Sequence, residues 1–302
     1  MVLSTSAASR FLSPQIVNGL GSIELKARTV VEGLLLGLHR SPFRGASVEF
    51  AEFRQYLPGD DPAMVDWKVY ARSDRHYVKK FELDTNVEAS LLVDVSASMG
   101  YGGRHGMTKL EYASCLAASL AYLLAGQRDA VGLALFDAAL RDYLPPSVRP
   151  GQLTRLLVTL DRTTPGAASD TATALRQVAE RLRRRGLIVV CSDLLDDVDR
   201  VIAGLRLVRA RGMEVVVFHV LDEDELTFPF EHASTFRDIE TGQQILTDPR
   251  AVRESYLAGI KAMQETYRRE LRAAGIDYQL ASTSAPLDAT LLGWLGRRGR
   301  TL

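Results

Sequence analysis

Cysteine is scarce in this sequence, with two in 302 residues, Cys115 and Cys191. Each lies in an apolar run and reads as a reduced, buried thiol. A disulfide framework or a thiolate zinc site would need more cysteines at fixed spacing. An excess of one charge is also missing. Lys plus Arg and Asp plus Glu each number 37, for a formal net charge of zero. The basic footprint of a nucleic-acid binder is therefore absent. No apolar run reaches the roughly 18 residues of a membrane span. Residues 1–13 hold one Arg and no apolar stretch of the signal-peptide kind. The expectation is a cytoplasmic protein with no membrane span and no nucleic-acid partner. The five histidines (His39, His76, His105, His219, His232) share no metal-like spacing and read as ordinary surface or strand residues. Gly100-Tyr101-Gly102-Gly103 is not followed by the Gly-Lys-Ser/Thr of a phosphate loop and reads as a flexible loop.

What is there is an apolar content of 46%, enough for a real core in one large domain or two small ones. Residues 1–13 are small and Ser-rich and read as frayed. From Pro14 to His39, apolar residues recur at helical spacing, as one or two helices broken at Gly19 or Gly33. Residues 40–86 differ. Turns are expected at 41–45 and at Pro58-Gly59-Asp60, a short helix from Asp61-Pro62 to Trp67, and a strand over Tyr77–Phe81. From Val87 strands and helices alternate. Strands are expected at 89–93, 130–136, 187–191, 215–220 and 277–281. Helices are expected at 109–125, 151–160, 171–185, 198–211, 249–274 and 287–296, with a hairpin at 235–246 turning at Thr241-Gly242. The strand runs are continuously Leu, Ile and Val, so both sheet faces should be buried. The fold class that follows is α/β, a doubly wound, mostly parallel sheet.

In such folds ligands bind beyond the carboxyl ends of the strands. Strand 89–93 is followed there by Asp94-Val95-Ser96-Ala97-Ser98, and strand 187–191 by Ser192-Asp193. Between them in sequence lies a hydroxyl-rich loop with Thr163, Thr164, Ser169, Asp170 and Thr171. Oxygens at i, i+2 and i+4 in a loop leaving a strand can turn towards one point. Hard oxygen donors without His or Cys suit Mg2+ (or Mn2+) rather than zinc. The candidate ligands are Asp94, Ser96, Ser98, Asp193 and a loop hydroxyl. Two aspartates only balance a divalent charge, so an open position would still attract an acidic side chain of a protein partner.

Leu91-Leu92-Val93-Asp94-Val95-Ser96-Ala97-Ser98-Met99 resembles the metal-ion-dependent adhesion site of von Willebrand factor A domains. The segment before it resembles the signature of the domain of unknown function 58 family: Phe43-Arg44-Gly45, Glu49 to Tyr56, Pro58 to Pro62, Val65-Asp66-Trp67-Lys68 and Ala71-Arg72. The resemblance runs from about residue 30 to about residue 230. It implies a von Willebrand factor A-like domain over 87–302, preceded by a helical segment at 1–40 and an extended signature segment at 41–86 packed on it. Asp94, Ser96 and Ser98 match the metal loop and Asp193 the later aspartate. The intervening hydroxyl falls on Ser169 or Thr171. The family implies a bacterial, non-catalytic, metal-dependent interaction module. Its expected partner is a MoxR-type AAA+ ATPase or a client of one. The alternative is a Mg2+-dependent hydrolase with Asp94 as nucleophile, for which Lys109 is a weak phosphate-clamp candidate.

Overall fold

The computed structural model describes residues 14–40, 54–55, 77–78, 87–104 and 106–298. The expectations for 1–13, for the turns at 41–45 and 58–60 and for the helix up to Trp67 lie outside these residues. Helices α1 (Pro14–Asn18) and α2 (Ile23–Arg40) part after Asn18, so the break falls beside Gly19, and Gly33 stays inside α2. Strands β1 (Arg54–Gln55) and β2 (Tyr77–Val78) pair antiparallel; β2 is the described part of the strand expected over Tyr77–Phe81.

From Glu88 the chain alternates. β3 (Glu88–Asp94) leads through a 3₁₀ turn (Ala97–Gly100) to α3 (Lys109–Gly126), then β4 (Ala130–Phe136), β5 (Leu140–Ser147), α4 (Gln152–Asp161) and α5 (Thr171–Arg181). β6 (Gly186–Ser192), α6 (Val198–Ala210), β7 (Glu214–Leu221) and the short α7 (Glu223–Thr227) follow. The hairpin β8 (Ser234–Arg237) and β9 (Gln244–Thr247), α8 (Pro249–Ala273), β10 (Asp277–Ser282) and α9 (Leu287–Arg298) complete the described chain. The large sheet has the order β10-β7-β6-β3-β4-β5 and is parallel except for β5. The doubly wound α/β arrangement is therefore the one that forms.

β3, β4, β6 and β7 are buried at every position but the first, because helices cover both faces. Side chains alternate between two cores, as a pleated strand requires. Leu91 and Val93 join α2, α3 and α9 through Val30, Leu34, Leu116 and Trp294. Leu92 joins α5, α6 and α8 through Leu175, Leu205 and Leu271. Among the described residues no helix is long and apolar enough to cross a membrane.

Two expectations need correction. The expected strands leave out 140–147, yet β5 forms there, antiparallel to β4 with register shifts. Its Pro145 and Pro146 are tolerated because an edge strand need not donate every N–H to a neighbour. Helix α5 ends at Arg181, not Arg185. Gly186 is the first residue of β6, where a Cβ would collide with the Glu88 carbonyl oxygen.

Candidate functional site

After β3 the chain adds β4 on one side of it and β6 on the other, so the connections diverge at the β3–β6 junction. At such a switch point the loops leaving two adjacent carboxyl ends part and leave a crevice. Asp94 is the last residue of β3, and Asp193 follows the last residue of β6. Both side chains are fully buried.

Asp94 is held from two sides. Its Oδ1 accepts the Ser96 N–H (2.9 Å) and its Oδ2 the Ser192 hydroxyl (2.6 Å). Burial, and next the charge of Asp193, push its pKa up to about 7 against the pull of these bonds. The Ser96 and Ser98 hydroxyls are 3.1 Å apart. The loop before α5 docks on this segment through its main chain: Ala97 N–H donates to Ala167 O (2.8 Å) and Gly166 N–H to Val95 O (2.6 Å). Within that loop the Ser169 and Thr171 hydroxyls are 3.2 Å apart. Thr171 is buried, and its N–H donates to Asp196 (2.9 Å). Asp170 serves the fold instead, capping α5 through the Thr173 N–H (3.0 Å) and pairing with Arg200 (3.1 Å). The Thr163 hydroxyl turns back to Thr159 O (2.7 Å). Asp94, Ser96 and Ser98 thus form one linked group and Ser169 with Thr171 a second.

Asp193 faces Lys109. This first residue of α3 is fully buried, with its ammonium 2.8 Å from Asp193 and 2.7 Å from Glu225. Burial would depress its pKa, but the charges and hydrogen bonds of Asp193 and Glu225 outweigh that and hold it above the ordinary value. Lys109 is engaged with two carboxylates rather than poised as a phosphate clamp. Its signal in the sequence is a cation opening a helix that is apolar on every side, where it also opposes the helix dipole. Its partners lie 84 and 116 residues away, so spacing could not name them.

His219, expected to be ordinary, is buried under the same loop. Its Nε2 is 2.8 Å from the Asp193 carbonyl oxygen and its Nδ1 2.7 Å from the Tyr278 hydroxyl. Burial lowers its pKa to about 4, so the ring is neutral near pH 7. A carbonyl only accepts, so Nε2 carries the hydrogen and Nδ1 accepts from Tyr278. The ring thereby fixes the backbone of Asp193. The glycine loop also departs from expectation. Gly103 N–H donates to Asp222 (3.2 Å), and a Cβ at Gly103 would collide with that carboxylate, so the loop is packed down.

The remaining contributor, Glu240, went unnoticed in the sequence. It projects from the β8–β9 turn and accepts the Ser169 N–H (3.3 Å) and the Ser98 hydroxyl. Beside it lies a cleft of about 270 Å3 lined by Ser98, Tyr101, Lys109, Phe228, Phe236 and Glu240. A roomier cleft of about 530 Å3 near Arg128, Ser147 and Arg149 sits at the amino end of β4, and none of the residues above lines it. Among the described residues no three His, Cys, Asp or Glu side chains converge as metal ligands. An ion at the switch point would therefore depend on hydroxyl oxygens beside Asp94 and Asp193.

A family model described as Protein of unknown function DUF58 matches residues 52–266. The uncharacterized protein Rv1480 of Mycobacterium tuberculosis is 28% identical over 294 residues, covering 95% of this chain and 91% of that protein. Among solved structures, the conserved hypothetical protein BatB from Bacteroides thetaiotaomicron is similar at a TM-score of 0.48 and 16% identity, over 72% of this chain and 100% of that one. The SpRpn10 VWA domain is similar at a TM-score of 0.38 and 11% identity, over 68% and 95%.

Proposed function

The chain belongs to the DUF58 family of proteins of unknown function, and from that premise we propose a non-catalytic, metal-dependent protein-interaction module. Asp94, Ser96, Ser98, Asp193 and the hydroxyl of Ser169 or Thr171 would hold Mg2+ or Mn2+. The observation that carries this reading is the buried Asp94–Asp193 pair at the switch point, with Asp94 pushed up to about 7. A carboxylate whose ionisation is opposed by burial and by a neighbouring carboxylate suits a cation beside it, and oxygen-only donors suit a hard one. When bound, the ion would supply an electrophilic centre for one further oxygen ligand. Lys109 already offsets part of the Asp193 charge, so an ion here keeps net positive charge for an incoming carboxylate. The protein's own residues then do the positioning: Ser192 and the Ser96 N–H orient Asp94, and His219 fixes the Asp193 backbone.

The partner in this reading presents an acidic side chain and is a MoxR-type AAA+ ATPase or its client, as the family resemblance implies. The cytoplasm is the compartment in this reading, in keeping with the two free, buried thiols. The test is binding of the purified chain to the purified MoxR-type ATPase of the same host, in Mg2+ and in EDTA, with wild type and Asp94→Ala. Loss of binding by at least about tenfold in EDTA and in the variant, equivalent to about 1.4 kcal/mol, with circular dichroism unchanged, is the expected result. Equal binding in all four conditions would remove the metal from the interface.

A further inference from the structure

Glu240 reaches two of the metal loops from outside the parallel sheet, from the turn of the β8–β9 hairpin. Its carboxylate accepts the Ser169 N–H (3.3 Å) and the Ser98 hydroxyl, and it lies close enough to Asp193 for their charges to interact. It therefore touches or faces all three loops that hold the candidate metal ligands. The turn that presents it is built for the purpose by Asp238. That carboxylate accepts the N–H of Glu240 (2.8 Å), the N–H of Thr241 (3.2 Å) and the hydroxyl of Thr241 (2.7 Å). Gly242 closes the turn at a φ of +73°, with its N–H on Asp238 O (2.9 Å).

The hairpin carrying this turn is a separate two-stranded ribbon. Such a ribbon is marginal on its own. Ile245 and Leu246 on β9 are 65% and 76% exposed, while Phe236 on β8 stacks on Phe228 at 5.6 Å and meets Phe230 at 5.3 Å. One strand is anchored by aromatic contacts and the other is nearly free of the core. Lifting the turn would withdraw Glu240 and open the cleft lined by Tyr101, Phe228 and Phe236 beside the metal loops.

We propose that Glu240, seated on the Ser98 hydroxyl and the Ser169 N–H, holds the place that a partner's acidic side chain takes, so that the β8–β9 hairpin must yield for a partner to bind. The proposal rests on the metal reading above. An external carboxylate then competes with an internal one, and its apparent affinity falls by the fraction of molecules in which the turn is lifted.

The experiment uses the full chain as wild type, Glu240→Gln, Glu240→Ala and Asp94→Ala. Three quantities are measured: Mn2+ affinity by electron paramagnetic resonance, binding of a fluorescent peptide with a single central glutamate in Mg2+, and hydrogen exchange over residues 234–247. Glu240→Gln keeps an acceptor for the Ser169 N–H but loses the negative charge, so it separates a fold contact from a competing carboxylate. Expected are Mn2+ binding in wild type that Asp94→Ala abolishes, and peptide affinity raised at least about fivefold in both Glu240 variants. Addition of the peptide to wild type should also speed exchange across the hairpin. If Mn2+ binds through Asp94 but both Glu240 variants take the peptide no better than wild type, the proposal for Glu240 is overturned and the metal reading stands. Peptide affinity raised in Glu240→Ala alone would make Glu240 a fold contact and overturn it too. If Mn2+ does not bind wild type, or binds Asp94→Ala equally well, the metal reading falls and takes this proposal with it.

Discussion

Asp94 and Asp193 are both buried within reach of each other's charge, and Lys109 pairs with Asp193. The consequence is measurable without any partner. Because the folded pKa of Asp94, about 7, lies above the ordinary aspartate value of 3.8, the folded protein holds a proton that the unfolded chain releases. Between pH 4 and 7 the folded state binds more protons, so stability falls as pH rises through that window and levels off above it. In EDTA, Asp94→Asn should therefore resist urea better than wild type at pH 8 and about equally at pH 5. In Mg2+ the order at pH 8 should reverse, because only wild type gains from an ion bound to the folded state. A wild type equally stable at pH 5 and pH 8 in EDTA would show that ionising Asp94 carries no penalty. At this scale the sequence was legible where chemistry is local. Asp94, Ser96 and Ser98 share a five-residue window at the end of an apolar strand. The roles of Lys109, Ser192, His219 and Glu240 depend on neighbours that only the folded chain supplies.

Elements were legible where burial leaves a periodic or continuous apolar mark. The four central strands are Val, Leu and Ile runs covered on both faces, and their extents in the sequence and in the structure agree to within a residue or two at each end. β5 was invisible because an edge strand is half exposed; Arg141, Asp142 and two prolines break the apolar run that marks its neighbours. The Arg183-Arg184-Arg185-Gly186 stretch misled for a related reason. Cations followed by Gly look like a helix terminus, yet here Gly186 is required by a close pass of two parallel strands, opposite Glu88 in the β3–β6 register. That pass fixes the spacing of the strands whose far ends carry Asp94 and Asp193. Gly186→Ala should therefore lower stability by about 2 kcal/mol through overpacking at this pair, read as a drop in the urea midpoint at unchanged slope. A midpoint equal to wild type would mean that the strands separate there at no cost.

At the scale of the molecule, α3 explains why the N-terminal helices belong to the same body as the sheet. Its residues are buried nearly all round, from Leu110 to Leu124, and its two charged side chains, Lys109 and Glu111, lie at its start. A helix apolar on every side needs cover on every side. β3 and β4 cover one face and α2 the other, with Ala27, Val30 and Leu34 fully buried and Val17 of α1 beside them in the same core. Burying Val17, Ile23, Val30 and Leu34 contributes about 1.5–3 kcal/mol each. Together that is comparable with the roughly 5–15 kcal/mol net stability of a whole domain. A chain reduced to residues 41–302 should thus lose cooperative unfolding, expose apolar surface to a hydrophobic dye and associate on gel filtration, while keeping much of its far-ultraviolet circular dichroism. It should lose Mn2+ binding as well, although no residue before 41 is a candidate ligand, because Lys109 opens the uncovered helix and holds Asp193 from it. A monomeric 41–302 fragment with a sharp melt would instead make α1 and α2 a dispensable outer layer. The metal loops would then owe their geometry to the sheet alone.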